Sequence, residues 1–250
     1  MKTFFFELCV ESLEAAQVAE AGGANRIELC SQLSIGGVTP PAPLMRTVVE
    51  ALTIPVHVLI RPRGGDFVYT AAEFEQMLNE VEQAREAGAA GVALGVLRAD
   101  GRVHLPRSRE LVEAAEGMKV TFHRAFDETP DLAEALETVV ATGADCLLTS
   151  GGAPDVLAGA EEIAKLVRQA GGRLEVMAGG GLKLGRMIDV VRRTGVSYLH
   201  GSLVRKPDGG LANGASMDCT PLVLVEDVRR AVQLLKEELA AREMQVQVRR

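Results

Sequence analysis

Eight short apolar runs punctuate the chain, beginning near residues 4, 26, 56, 91, 119, 145, 174 and 197, and each is followed by a stretch whose apolar residues recur at helical spacing. The pattern predicts eight strands alternating with helices. The helices are expected over 13–21, 44–52, 70–88, 106–116, 131–142, 160–170, 187–193 and 225–241. Ser12 can cap the first and Gly22-Gly23 can stop it, while Thr70 and Glu73 form a capping box for the third. Glycines at 22, 88, 143, 171 and 195 mark helix-to-strand turns. Eight βα units in succession close into a parallel barrel, whereas a doubly wound sheet usually has fewer strands. The expected fold class is α/β, a (β/α)8 TIM barrel. One domain over residues 1–250 is expected, with a long loop at 203–221 and a C-terminal helix.

Within this pattern one tripeptide appears twice, as Glu7-Leu8-Cys9 and Glu28-Leu29-Cys30, each time closing an apolar run. Side chains alternate faces along a strand, so Glu7 shares a face with Cys9 and Glu28 shares one with Cys30. A right-handed βαβ unit puts both carboxyl ends on one side of the sheet, where function collects in parallel α/β folds. Two carboxylates and two thiols are thereby brought together. A single cysteine is most often core. A facing pair can hold a soft ion such as Cu(I), while the nearby carboxylates suit a harder metal.

Other strand exits add polar groups at the same end. Arg61 and Arg63 follow the third strand, His123, Arg124 and Asp127 the fifth, Thr149 the sixth, Gly179-Gly180-Gly181 the seventh, and His200 and Ser202 the eighth. Glu7, Glu28, Arg61 and Arg124 could simply neutralise one another, but a charged network at a barrel's functional end favours a site. Either acid can serve as a base and either of His123 and His200 as an acid. The arginines and the glycine N–H groups suit an anion. His57, early in its strand, reads as structural. His104 lies in a loop with no specific signal, and Cys146 and Cys219 read as structural or incidental.

Composition narrows the partners. A chain of 250 residues, 47% hydrophobic and 24% charged, can bury one large core and has the length typical of such a barrel. Its net charge of -7 offers no general attraction to nucleic acid or an anionic membrane, so neither is an expected partner. One Lys and three Phe before Glu7 do not make a signal peptide, and no apolar run approaches a membrane span. A cytoplasmic location is expected. The four cysteines include no CxxC pair and would stay reduced there.

The stretches Glu7-Leu-Cys-Val, Arg26-Ile-Glu-Leu-Cys, Ile60-Arg-Pro-Arg-Gly-Gly-Asp-Phe67, Thr121-Phe-His-Arg-Ala-Phe-Asp127 and Leu148-Thr-Ser-Gly-Gly152 resemble the CutC copper homeostasis family over roughly residues 1–202. The resemblance implies a TIM barrel, a cytoplasmic homo-oligomer (dimer or tetramer), and a role in copper handling with Cu(I) at Cys9 and Cys30. Copper alone leaves the arginines, histidines and glycine loops unexplained. The competing expectation is therefore an enzyme of lyase, isomerase or hydrolase type acting on a small anionic metabolite. A structural oligomer with an idle barrel mouth is a third.

Overall fold

A computed structural model describes residues 3–204 and 223–248, so all but the first two residues of the predicted 203–221 loop lie outside the described residues. The strands are β1 (Phe5–Val10), β2 (Arg26–Leu29), β3 (Val56–Leu59), β4 (Gly91–Leu94), β5 (Lys119–Phe122), β6 (Cys146–Thr149), β7 (Glu175–Ala178) and β8 (Tyr198–Gly201). All pair in parallel, and β8 returns to β1 to close the barrel. The helices are α1 (Leu13–Gly22), α2 (Ala42–Ala51), α3 (Ala71–Glu86), α4 (Leu105–Ala114), α5 (Leu132–Thr142), α6 (Ala160–Ala170), α7 (Met187–Thr194) and α8 (Val225–Val248). None is long and apolar enough to cross a membrane.

Strand alternation sorts the side chains into two environments. Phe6, Leu8, Val10, Ile27, Leu29, Val58, Val92, Leu94, Phe122 and Leu199 point outward into one continuous apolar layer under the helices. There they meet Ala16 and Ala19 of α1, Met77 and Val81 of α3, Leu136 and Val139 of α5, and Val190 and Val191 of α7. The residues between them point inward. Two small apolar groups lie there, one of Cys9, Cys30, Leu59 and Ala93 and one of Cys146, Leu148 and Met177. The inner space is also occupied by charged and polar side chains.

Helix ends follow local chemistry. Ser12 accepts a bond from the Ala15 N–H, and Thr70 and Glu73 make the reciprocal capping box. The stop after α1 falls to Gly23, at φ 88°, where a left-handed backbone favours glycine. Gly22 serves packing instead. A Cβ there would fall 2.4 Å from the Val228 Cβ, so its absence lets α8 lie against α1. α8 runs further than the predicted 241 because Arg242, Glu243 and Met244 continue a helix-favouring stretch. Arg192 of α7 holds its Glu238 at 2.7 Å.

The loop after β2 holds a short 3-10 turn, Leu33–Ile35, that periodicity does not announce. α2 begins at Ala42, two residues before the predicted start, because a proline such as Pro43 is tolerated in the first turn.

Candidate functional site

Parallel register builds the floor of the barrel mouth. Glu7 of β1 lies opposite Arg26 of β2 on one side and His200 of β8 on the other, and one step further Cys9 lies opposite Glu28. Glu7 is 1% exposed, accepts a bond from Arg26 Nε, and lies 2.7 Å from His200 Nδ1. Burial alone would raise its pKa, but Arg26 and His200 more than reverse this and hold the carboxyl far below its usual range. His200 is shifted upward, because Glu28 and Glu7 outweigh the burial that opposes its charge. Below this layer Arg26 Nη1 stands 3.3 Å from His57 Nε2. Burial, then Arg26, pushes that histidine down to about 4, so it is neutral near pH 7, consistent with a structural role.

The next layer carries the thiols. Cys9 Sγ lies 3.4 Å from Cys30 Sγ and 3.4 Å from Glu28 Oε1, and both cysteines are free. That separation is hydrogen-bonding contact, well beyond a disulfide bond of about 2.05 Å. The bond to Cys30, burial and the Glu28 carboxylate all push the Cys9 thiol upward. Burial also raises Glu28. One atom from each of Cys9, Glu28 and His200 lies within 4.8 Å of the other two, which makes this the group suited to a metal ion among the described residues.

Above this floor opens a cavity of about 490 Å³, lined by Cys9, Glu28, Arg61, Phe67, His123, Arg124, Asp127, Gly180, Gly181, His200 and Ser202 among others. Arg61 is 6% exposed. Its guanidinium donates to the carbonyls of Ile35, Gly37 and Gly65 and stacks on Phe67, 4.7 Å from the ring centroid. His123, 5% exposed, accepts the Ala125 N–H at Nδ1, which leaves its proton on Nε2. That Nε2 has no partner among the described residues. Burial, then Arg61, lowers His123 to about 3, so it works as a neutral donor.

Arg124 donates to Asp127 at 2.8 Å and to Ser150 Oγ at 3.1 Å. Gly180 makes room for it, since a Cβ there would fall 2.9 Å from the Arg124 Cζ.

Several expected residues stand elsewhere. Arg63 is outside the cavity, bound to Asp66 and Glu73 at 2.9 and 2.6 Å, and fastens its loop to α3. Thr149 is fully buried and donates to Asp127, and Gly179 lies under His200, where a Cβ would fall 2.9 Å from the His200 Cβ. Asp127 reaches the cavity wall, but its oxygens brace the loop after β6. Glu7 sits beneath the cavity, and its partner is Arg26 rather than Arg61 or Arg124. Arg26 was legible as a residue sharing a face with Glu28 and Cys30, and Ser150 as a neighbour of Thr149.

A wider groove of about 870 Å³ beside α3 lacks comparable chemistry, because its buried acid, Glu80, is bonded to Thr39 at 2.6 Å and Gln76 at 2.7 Å.

Glycine at position 95 sets the place of His123. A Cβ there would lie 2.7 Å from both Nδ1 and Cε1 of the ring and 3.0 Å from the Ala125 Cβ. Gly95→Ala is expected to displace the ring and to destabilise the barrel by about 1–3 kcal/mol. Thermal unfolding, together with the His123 ring resonances by NMR, checks this. Unchanged resonances would show that the ring needs no such space.

Residues 4–205 match the model of the CutC family. A CutC family protein of Caulobacter vibrioides is 45% identical over 209 residues, covering 84% of this chain and 83% of that one. One from Vibrio cholerae is 40% identical over 243 residues, covering 94% and 96%. A crystal structure of CutC from Streptococcus agalactiae, assigned by name to copper homeostasis, is 30% identical with a TM-score of 0.77, covering 80% of this chain and 99% of that one.

Proposed function

Because the chain belongs to the CutC family, we propose that it serves copper homeostasis by binding Cu(I) as cargo through Cys9 and Cys30. The observation that carries this reading is the 3.4 Å approach of two free thiols at the floor of the barrel mouth. Thiolates are the ligands a soft monovalent ion prefers, and both thiols are buried, which suits an ion that accepts few ligands. At metal–sulfur bonds of about 2.3 Å, a trigonal ion sets its sulfurs about 4.0 Å apart and a linear one about 4.6 Å. Trigonal binding demands the smaller spreading of this pair. A third donor is at hand in Glu28 or His200.

Charge supports the same reading. Two thiols lose two protons when one Cu(I) enters, so the centre gains one negative charge. His200, held toward its protonated form beside it, offsets that charge. Because Cys9 is kept as a thiol, uptake competes with protons. Affinity is expected to climb with pH by up to about a hundredfold per unit while both thiols must be deprotonated.

Titration with Cu(I) against a competing chromophoric chelator, without oxygen, tests the proposal. About one copper per chain is expected for the native protein and none for the Cys9→Ser/Cys30→Ser variant, whose folding is checked by circular dichroism. Full retention of Cu(I) by that variant overturns it.

A further inference from the structure

The cavity above the thiols contains chemistry that a copper ion does not use. Arg61 is a buried cation with no carboxylate partner among the described residues, and its Nε is also without an acceptor. Beside it His123 offers an unpartnered Nε2–H, and the two share Phe67, whose ring centroid is 4.7 Å from Arg61 Cζ and 5.0 Å from the His123 ring. Arg124, 44% exposed in its side chain, spends Nε on Asp127 and Nη2 on Ser150. No partner engages its Nη1 among the described residues. Gly180 and Gly181 stand at the same wall.

Arg61 Nε and His123 Nε2 are buried donors without acceptors among the described residues, and such unpaired polar atoms are costly. Around the mouth Glu7 pairs with Arg26 and His200, Asp127 pairs with Arg124, Glu28 is bonded to Cys9 and Glu128 stands exposed at the rim, so no carboxylate pairs with Arg61 among the described residues. The missing complement is negative charge. A metal ion does not supply it, because His123 carries its proton on the nitrogen that would have to ligate and two arginines repel a cation.

We infer that the barrel mouth binds a small organic oxyanion, a carboxylate or a phosphate monoester, with its charged group among Arg61, His123 and Arg124. The cavity of about 490 Å³ suits a metabolite of a few carbon atoms rather than a macromolecule. The rest of the ligand then lies against Cys9, Glu28 and His200, the groups able to exchange protons with it. Phe67 covers the apolar side. The groups that anchor the anion include neither thiol, so anion binding is tested without copper.

The test uses the full-length protein freed of metal with a chelator and titrated separately with inorganic phosphate, glycerol 3-phosphate and malonate. Calorimetry reads affinity, and the His123 Nε2 resonance reads contact. Saturable binding of at least one probe is expected, with a shift of that resonance. Phosphate compounds binding alone would identify a phosphoryl ligand, and malonate alone a carboxylate. Arg124→Gln and His123→Gln are each expected to weaken binding about tenfold or more, as loss of a charge-assisted or buried donor does. Arg61→Gln risks misfolding because it removes three bonds to loop carbonyls, so the more exposed Arg124 carries the test. The Cys30→Ser variant, changed at a residue that does not line the cavity, is expected to keep the anion while weakening Cu(I) binding. Absence of saturable binding by all three probes overturns the inference, as does binding indifferent to both Arg124→Gln and His123→Gln. Neither result bears on copper.

Discussion

Replacing Glu7 with Gln is expected to remove about 3–5 kcal/mol of folding stability, because it strips a buried Arg26 and a buried His200 of their shared counter-charge. Such a loss is a large part of the roughly 5–15 kcal/mol that holds a protein folded. For a chain of this size it corresponds to a fall in Tm of about 6–20 °C. The exposed Glu50→Gln serves as the control and is expected to change stability by no more than about 0.5 kcal/mol. If the charges are coupled through Glu7, Glu7→Gln with Arg26→Gln destabilises less than the sum of the two single changes. Simple addition would show that the pair does not interact.

The pH dependence gives this expectation a second readout. The Glu7 carboxyl is held below its ordinary 4.5, so its stabilisation is fully present above the unfolded value. It is lost progressively as pH falls below about 4.5 toward the folded value. The native protein should therefore weaken in acid more steeply than Glu7→Gln, and their stability curves should converge as pH drops. His200 acts in the opposite window. Its pKa is raised above 6.5, so its contribution is complete below 6.5 and fades as pH rises through the folded value. Urea denaturation from pH 3 to 9, a range of about six units that enters both windows, checks both signs. An undiminished gap between native and variant proteins at the acid end would contradict the assignment of Glu7.

The repeated Glu-Leu-Cys tripeptide made the floor of the site legible, because alternation in a strand assigns a face to every residue and parallel pairing places neighbouring ends together. Cys9, Glu28 and Cys30 meet for that reason. Alternation does not report depth along the barrel axis. Glu7 thus belongs to the layer beneath the cavity with Arg26, two positions before Glu28, and Arg61 is left without the acid that sequence proximity to the rim suggested. Loops obey no period. Arg61 and Arg63 are separated by one proline, yet one turns into the mouth and the other grips Asp66 and Glu73 outside it. The tautomer of His123 depends on the Ala125 N–H, a contact made by the turn after β5. Chemistry borne on strands could be read in advance, and chemistry set by loop carbonyls and N–H groups could not.

Asp127 illustrates the second kind, and Asp127→Ala is expected to cost about 3 kcal/mol or more. Its side chain, 6% exposed, accepts from Thr149 Oγ1 at 2.5 Å, from the Ser150 N–H at 3.0 Å, from Ser150 Oγ at 3.0 Å and from the Gly152 N–H at 3.1 Å. Arg124 Nε adds a charge-assisted bond at 2.8 Å. Removing one carboxylate therefore orphans donors on both the β5 and β6 loops, and bonds to a charged acceptor contribute about 1.5–3 kcal/mol each without adding fully. Asp127→Asn keeps one acceptor oxygen but turns an amide N–H toward groups that are themselves donors, so it should recover only part of the loss. A lower urea midpoint with an unchanged slope is the expected result. The same change should reduce oxyanion affinity, because Arg124 loses the partner that fixes its guanidinium over Gly180. Stability lost with anion affinity intact would mean that Arg124 is placed by Ser150 and Gly180 alone, and that Asp127 braces the two loops without organising the mouth.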